Sequence, residues 1–309
     1  MGKHFSVLLN EAVSLLNVKS DGVYLDLTLG RAGHSSLILS SLKEGHLYSF
    51  DLDEEAIEES QPKLEAIGTN FTIIHSNFAY AKEKMAELGI SEIDGALMDL
   101  GVSSPQFDEG ERGFSYQNDG PLDMRMDQSS PKSAKTIVNT YSYEDLLRVF
   151  YKYGEDPDSK AIAKAIRKQR EIKPIETTFE LVDIIKSAKP AFRLRQKGHP
   201  AKQIFQALRV ETNDELNSLS KALDDIPTIL KKGGRFVVIS FQSLEDRLVK
   251  EKFRSLSEVV GTRNGPDALK VTKEAEFKTI TKHPIVPSSE EIDSNHRSKS
   301  AKMRALERR

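Results

Sequence analysis

Short apolar runs alternate with amphipathic stretches through the first hundred residues. The runs at 23–27, 46–51, 71–75 and 93–99 are rich in Ile, Leu, Phe and Tyr, as strands buried on both faces tend to be. Helical patterns lie between them, at about 34–43, 54–66 and 79–88. This alternation predicts a doubly wound α/β fold, a mostly parallel sheet with helices on both faces. From about residue 112 the pattern changes. A loop at 111–121 leads into four helical stretches, roughly 133–140, 142–153, 158–171 and 177–188, with no clear strand between them. A basic, proline-bounded loop follows at 189–200. The expectation is a sheet domain built from 1–111 and 201–309, with a helical insertion over 112–200. The sheet domain resumes with one long amphipathic helix at about 201–223, a turn at Gly233-Gly234, a buried strand at 235–240 and a helix at 243–256. Residues 257–275 read as polar and irregular, 277–281 as a strand, and 300–306 as a strand or a helix. The last basic residues, Arg297 to Arg309, read as a solvated tail.

The chain has 309 residues and no cysteine, which excludes disulfides and cysteine-ligated metal centres. No apolar run approaches the roughly 20 residues that span a bilayer, and the N-terminus lacks the apolar region of a signal peptide. A cytoplasmic protein without a membrane partner is expected. The net charge of −2 is uninformative, but its distribution is not: residues 1–112 carry −11, 113–206 carry +5, and 160–202 alone carry +8. That asymmetry suits a polyanionic partner docking on one side.

Chemistry concentrates at the turn after the first strand, Asp26-Leu-Thr-Leu-Gly-Arg-Ala-Gly-His-Ser35. Gly30 and Gly33 let backbone approach a nucleotide-like ligand closely. The spacing breaks the G-x-G-x-x-G pattern of dinucleotide sites, since position 28 is Thr, and it suits S-adenosylmethionine, which has no phosphate to seat. Asp51, 18 residues after Gly33, ends the second strand, where a carboxylate can accept hydrogen bonds from ribose hydroxyls. Asp53 reads as the cap of the next helix. Phe78 follows the third strand, where its ring could stack on adenine or fill the core. Asp99 ends the fourth. Ligands of open parallel sheets bind beyond the carboxyl ends of the strands, so Asp26, Asp51, Phe78 and Asp99 should converge on one crevice.

Several longer segments carry a resemblance: 4–11 (His-Phe-Ser-Val-Leu-Leu-Asn-Glu), the Gly30–Ser35 turn, Asp99-Leu-Gly-Val-Ser-Ser-Pro-Gln106 and Glu111-Arg-Gly-Phe-Ser115. It continues in Asp119-Gly-Pro-Leu-Asp-Met-Arg-Met-Asp127, Gly198-His-Pro-Ala-Lys202, Phe205-Gln-Ala-Leu-Arg209 and Ser243-Leu-Glu-Asp-Arg247. Over nearly its whole length the chain resembles the RsmH (MraW) family of small-subunit ribosomal RNA methyltransferases. The resemblance implies a class I, Rossmann-like methyltransferase fold with an inserted all-helical domain. It implies S-adenosylmethionine-dependent methylation of N4 of a cytidine in the decoding centre of 16S ribosomal RNA, cytidine 1402 in the customary numbering. It also implies cofactor contacts at Ala32, Gly33, His34, Asp51, Phe78, Asp99 and Gln106, to which the turn itself adds Asp26 and Gly30. Two departures stand out. Gln242 replaces a usual His, and Gly154-Glu-Asp replaces Gly-Glu-Glu, a change expected at the insertion's surface.

The sulfonium methyl is already electrophilic, so no metal is expected. The harder task is to return the delocalised N4 lone pair to nitrogen by accepting an N–H hydrogen bond, and Asp99 and nearby backbone carbonyls are the candidates; which group takes the proton is open on sequence. Ser103, Ser104, Arg112, Phe114 and Tyr116 are expected at the substrate, the two aromatics stacking on an extruded base or packing the insertion. Arg193, Arg195, Lys197 and Lys202 are candidate phosphate ligands. Arg125 reads as a loop-holding partner of a carboxylate. Two rival readings remain open on sequence, a nicotinamide-dependent dehydrogenase and a non-catalytic RNA-binding assembly protein. Oligomeric state is also open, a homodimer included.

Overall fold

The computed structural model describes residues 6–258, 260–261, 271–273 and 275–309. His4 and Phe5 of the N-terminal motif, most of the polar 257–275 segment and the side chain of Ser104 lie outside the described residues. In chain order the elements are α1 (Leu9–Leu16), β1 (Val23–Asp26), α2 (Gly33–Ser41), β2 (His46–Asp51), α3 (Glu54–Glu65), β3 (Phe71–His75), α4 (Ala81–Glu87) and β4 (Ile93–Asp99). Then come α5 (Ser104–Asp108), α6 (Ala134–Thr140), α7 (Tyr143–Gly154), α8 (Ser159–Arg170), α9 (Thr178–Ala188), α10 (Ala191–Leu194) and α11 (Lys202–Asn213). The chain closes with α12 (Glu215–Ile229), β5 (Leu230–Ser240), α13 (Ser243–Ser257), β6 (Val260–Gly261), β7 (Val271–Lys273), β8 (Phe277–Thr279), α14 (Ser289–Ser294) and β9 (Lys302–Arg308).

The chain divides into two compact units, 1–101 with 217–309, and 102–216. The first is a seven-stranded sheet of order β3-β2-β1-β4-β5-β9-β8. The first five strands are parallel, and β9 pairs antiparallel with β5 and β8. Side chains alternate between two cores, as a pleated strand requires. Ala96, Met98, Phe236 and Val238 join a cluster with Leu219, Leu223, Val249 and Phe253 of α12 and α13. Leu97, Val237 and Ile239 join the opposite cluster with α1, α2 and Leu64 of α3. β1 continues to β2 and β3 on one side, whereas β4 lies on its other side. The strand order therefore reverses between β1 and β4, the place where open α/β sheets bind ligands.

The second unit is helical. Its core joins α6, α7, α8, α9 and α11 through residues such as Ile137, Phe150, Ile166, Leu181 and Leu208. It is wider than 112–200, because the expected long helix at 201–223 is two helices. Asp214, in a left-handed conformation (φ 52°), ends α11 before α12 begins, and α11 belongs to the helical core. Two further expectations change. Asp156, the departure placed at the surface, is 1% exposed, and its carboxylate pairs at 2.6 Å with Lys189, whose side chain is 6% exposed. The basic C-terminal residues are not all a solvated tail, for β9 lies between β5 and β8, and Arg304 is buried against Asp246 at 2.7 Å.

Candidate active site

β1 ends on Asp26, and its carboxyl group is fully buried. One oxygen accepts the Thr28 N–H (3.1 Å) and the other the Ser35 hydroxyl (2.6 Å), which also contacts Ser49 at 2.9 Å. Burial pushes Asp26 up to about 7, against the lowering effect of these bonds. Asp26 thus braces the turn from inside; it was expected among the cofactor contacts, and the structure turns it away from solvent. The turn is left-handed at two positions: Gly30 has φ 49°, which glycine adopts without strain, and Ala32, for which that conformation is costly, has φ 63°. At Gly33 a Cβ would lie 1.9 Å from the Ser6 hydroxyl oxygen, so the N-terminal segment crosses this helix start too closely for any side chain.

Asp51 closes the turn from β2. Its two oxygens accept the Gly30 N–H (2.8 Å) and the Asp53 N–H (2.9 Å), and each retains a lone pair for a further donor. Burial raises its pKa. Asp53 caps α3 by accepting from the Glu55 N–H, as its position predicted. His34, in the first turn of α2, is 4% exposed. Its Nε2 donates to the Val7 carbonyl at 3.2 Å, which leaves Nδ1 as the lone-pair nitrogen, 3.7 Å from an Asp99 oxygen. Burial lowers His34 to about 4, so the ring is neutral near pH 7. Phe78 opens a single 3-10 turn after β3, partly buried against the α12–α13 core.

Asp99 is the outlier. Its N–H donates to the Thr28 hydroxyl at 2.7 Å, which fixes the end of β4 beside β1. Its side chain is partly open, yet Oδ1 is buried and has no hydrogen-bond partner among the described residues. Its pKa is raised well above the carboxylate range, first by burial and then by the negative charges of Asp26, Glu245 and Glu291. A buried carboxyl oxygen without a donor is costly, and such costs persist where a ligand supplies the missing partner. The sheet unit therefore brings Gly30, Ala32, Gly33, His34, Asp51 and Asp99 to the carboxyl edge around the β1–β4 switch point, with Phe78 just past the neighbouring β3. These residues fit an adenosyl ligand: close backbone, a carboxylate with lone pairs to spare and an acceptor without a partner among the described residues.

The remaining expected residues belong to the helical unit. Gln106 is buried, and its amide oxygen accepts the Ser103 N–H at 2.9 Å. Arg112 is buried and donates to the carbonyls of Arg125 and Met126 at 3.2 and 3.5 Å, which makes it a loop strut. Phe114 is 3% exposed in the helical core and presents no face to a base. Tyr116 stacks on His199, centroids 4.4 Å apart at 12°, and meets Phe205 edge-on. Arg125 pairs with Asp123 at 2.7 Å. Arg193 lies 3.6 Å from Asp158, whereas Arg195, Lys197 and Lys202 are exposed. Sequence reasoning missed Glu245 and Glu291, which raise Asp99 from far down the chain, and the Val7 carbonyl, which selects the His34 tautomer. In sequence, His199 stands only within the Gly198–Lys202 segment with no role of its own, although Tyr116 is singled out.

Residues 1–309 match the model of the MraW methylase family. A Streptococcus dysgalactiae subsp. equisimilis protein named ribosomal RNA small subunit methyltransferase H is 50% identical over 99% of this chain and 97% of its own. Among solved structures, an rRNA methylase from Streptococcus thermophilus overlaps 99% of both chains at 11% identity and TM-score 0.41. A methyltransferase from Streptococcus mutans in complex with SAH overlaps 99% of this chain and 100% of its own at 12% identity and TM-score 0.43. Overlaps this loose carry no argument about the site.

Proposed function

The chain belongs to the MraW methylase family, and on that premise we propose that it methylates 16S ribosomal RNA with S-adenosylmethionine, at N4 of the decoding-centre cytidine 1402. The relative's name supports the RNA class; the acceptor atom rests on the family resemblance. The reading puts the chain in the cytoplasm beside the small ribosomal subunit, and no helix among the described residues is long and apolar enough to cross a membrane.

S-adenosylmethionine, when bound, supplies an electrophilic sulfonium methyl. The protein's share is to hold and orient. Asp51 would hold the ribose hydroxyls, using the lone pairs left free by Gly30 and Asp53. The backbone at Gly30, Ala32 and Gly33 would receive the ligand, and Asp26 keeps that turn in shape from behind. Phe78 would hold the adenine. His34, neutral and tethered to Val7, is a positioning residue for Asp99 and the methionine end. Gln106 is assigned to the cofactor, and Ser103, Ser104 and Tyr116 to the RNA.

Asp99 would accept an N–H of the target amine, returning electron density to nitrogen. It would take up the proton that N4 loses when the methyl carbon passes to it and the sulfonium S–C bond breaks, its electron pair staying on the departing thioether sulfur. Its raised pKa makes it a stronger base than an exposed aspartate. A cation held in the same crevice favours its charged form. The unpartnered Oδ1 is the observation that carries this reading. The test is tritiated methyl transfer into small ribosomal subunits, with wild type and Asp99→Asn compared. Loss of a charged acceptor should lower turnover by at least about tenfold, with the fold intact by circular dichroism. Full turnover and full cofactor affinity in Asp99→Asn would sink the assignment.

A further inference from the structure

A concave surface lies within the helical unit. One face of α9 carries Phe179, Val182, Asp183 and Lys186, at the i, i+3, i+4, i+7 spacing that aligns side chains on a helix. That face and the stacked Tyr116–His199 pair line a single groove with a cavity volume of about 620 Å³, well inside the range of small-ligand sites. Val182 is buried, while Phe179 is 42% exposed and offers part of its ring to the groove. Lys186, at the far end of the face, is exposed, and among the described residues it has no carboxylate partner. His199 stands in the chain between Lys197 and Lys202, in the segment that also holds Arg195, and none of those three cations is paired among the described residues.

We propose that this groove binds one unpaired nucleotide of the RNA, its base against Phe179 and the Tyr116–His199 pair and its phosphate on Lys186. The inference rests on the ribosomal RNA reading above and adds a recognition subsite to it. Three features select this occupant. Flat aromatic surface stacks on any base, cations on one side meet the backbone, and single-stranded RNA is read in this way. Asp183 and the side-chain amide of Gln117 give the groove acceptors, which suit an exocyclic amine of the base. His199, lowered by burial and by Lys186, stays neutral and stacks without adding charge.

The test is fluorescence anisotropy of a labelled single-stranded oligocytidylate with the full chain. Phe179→Ala should raise Kd about tenfold, the scale of one lost base stack, and Phe179→Tyr should restore it. Tyr151→Ala removes another exposed aromatic, outside the groove, and should leave Kd unchanged. Affinity for S-adenosylmethionine should be the same in all four proteins. No binding by wild type, or equal Kd in wild type and Phe179→Ala, overturns the groove. A concentration-dependent dimer that Phe179→Ala breaks would assign the face to a second copy instead. Methyl transfer measured on the same samples separates the two readings. If wild type methylates while Phe179→Ala binds normally, only the groove falls. If Phe179→Ala weakens binding although wild type transfers no methyl, only the methyltransferase reading falls.

Discussion

Asp26 and His34 titrate over nearly the same pH range with opposite effects on stability. Asp26 ionises at about 7 when folded and near 3.8 when unfolded. The folded state therefore holds its proton longer, and the stability this gives at low pH is lost as pH rises from about 4 to about 7. His34 protonates at about 4 when folded and near 6.5 when unfolded. Its contribution is present above 6.5 and is lost as pH falls towards 4. Asp51 and Asp99, both raised by burial, act in Asp26's direction. Removing one member of the opposed pair should tilt the profile. Asp26→Asn should make the thermal midpoint rise more, or fall less, between pH 5 and 6.5 than in wild type, and His34→Gln should make it fall more. Calorimetry without cofactor reads both tilts, and parallel profiles in all three proteins would refute the assigned pKa shifts. The residues of this site were legible in sequence because one local turn and two strand ends carry them. Their electrostatics were not, because Glu245 and Glu291 reach Asp99 through the fold and no spacing announces them.

Elements were legible where their period was clean. α6 to α9 fall close to the predicted spans, since each pairs a 3.6-residue apolar stripe with a polar face and, at three of the four starts, with a Ser or Thr side-chain cap. α1 went unread, its eight residues being too few to stand out from the flanking apolar positions. The break between α11 and α12 is invisible to periodicity because the apolar stripe continues across it, and only the left-handed Asp214 ends the helix. Packing between elements is also hidden in sequence. Gly154, the last residue of α7, reads as an ordinary stop signal, yet a Cβ there would lie 2.8 Å from the Gln203 carbonyl and 3.3 Å from the Ala207 Cβ of α11. The two helices touch backbone to backbone at this point, with no flexible side chain to yield. Gly154→Ala should therefore cost about 1–3 kcal/mol in the helical unit, although alanine is the better helix former. Urea denaturation of the full chain checks the sign, and a stabilised variant would show that α11 can move aside.

At the scale of the whole molecule the charge pattern bears on where the proposed RNA partner would be held. The first 112 residues carry −11, so the segment that builds most of the proposed cofactor site repels a polyanion, and the 160–202 segment, at +8, is a basic stretch that can attract one. Within it the cations are not equivalent. Arg193 sits 3.6 Å from the Asp158 carboxylate and is partly neutralised before RNA arrives. Lys189 is spent in the buried pair with Asp156. Arg195, Lys197 and Lys202 are exposed and carry no such partner among the described residues. Each phosphate contact to a single strand contributes about 0.7 to the slope of log Kobs against log salt. Replacing Arg195, Lys197 and Lys202 together with Gln should lower that slope by about 2. Arg193→Gln alone should change it by less than any one of the three, because freeing Asp158 returns an acidic charge to the surface as the basic one is lost. Anisotropy titrations of a single-stranded oligonucleotide across a salt series measure both effects. A triple variant with the wild-type slope would remove this loop from the RNA interface, and attraction would then have to come from the lysines and arginines of α8.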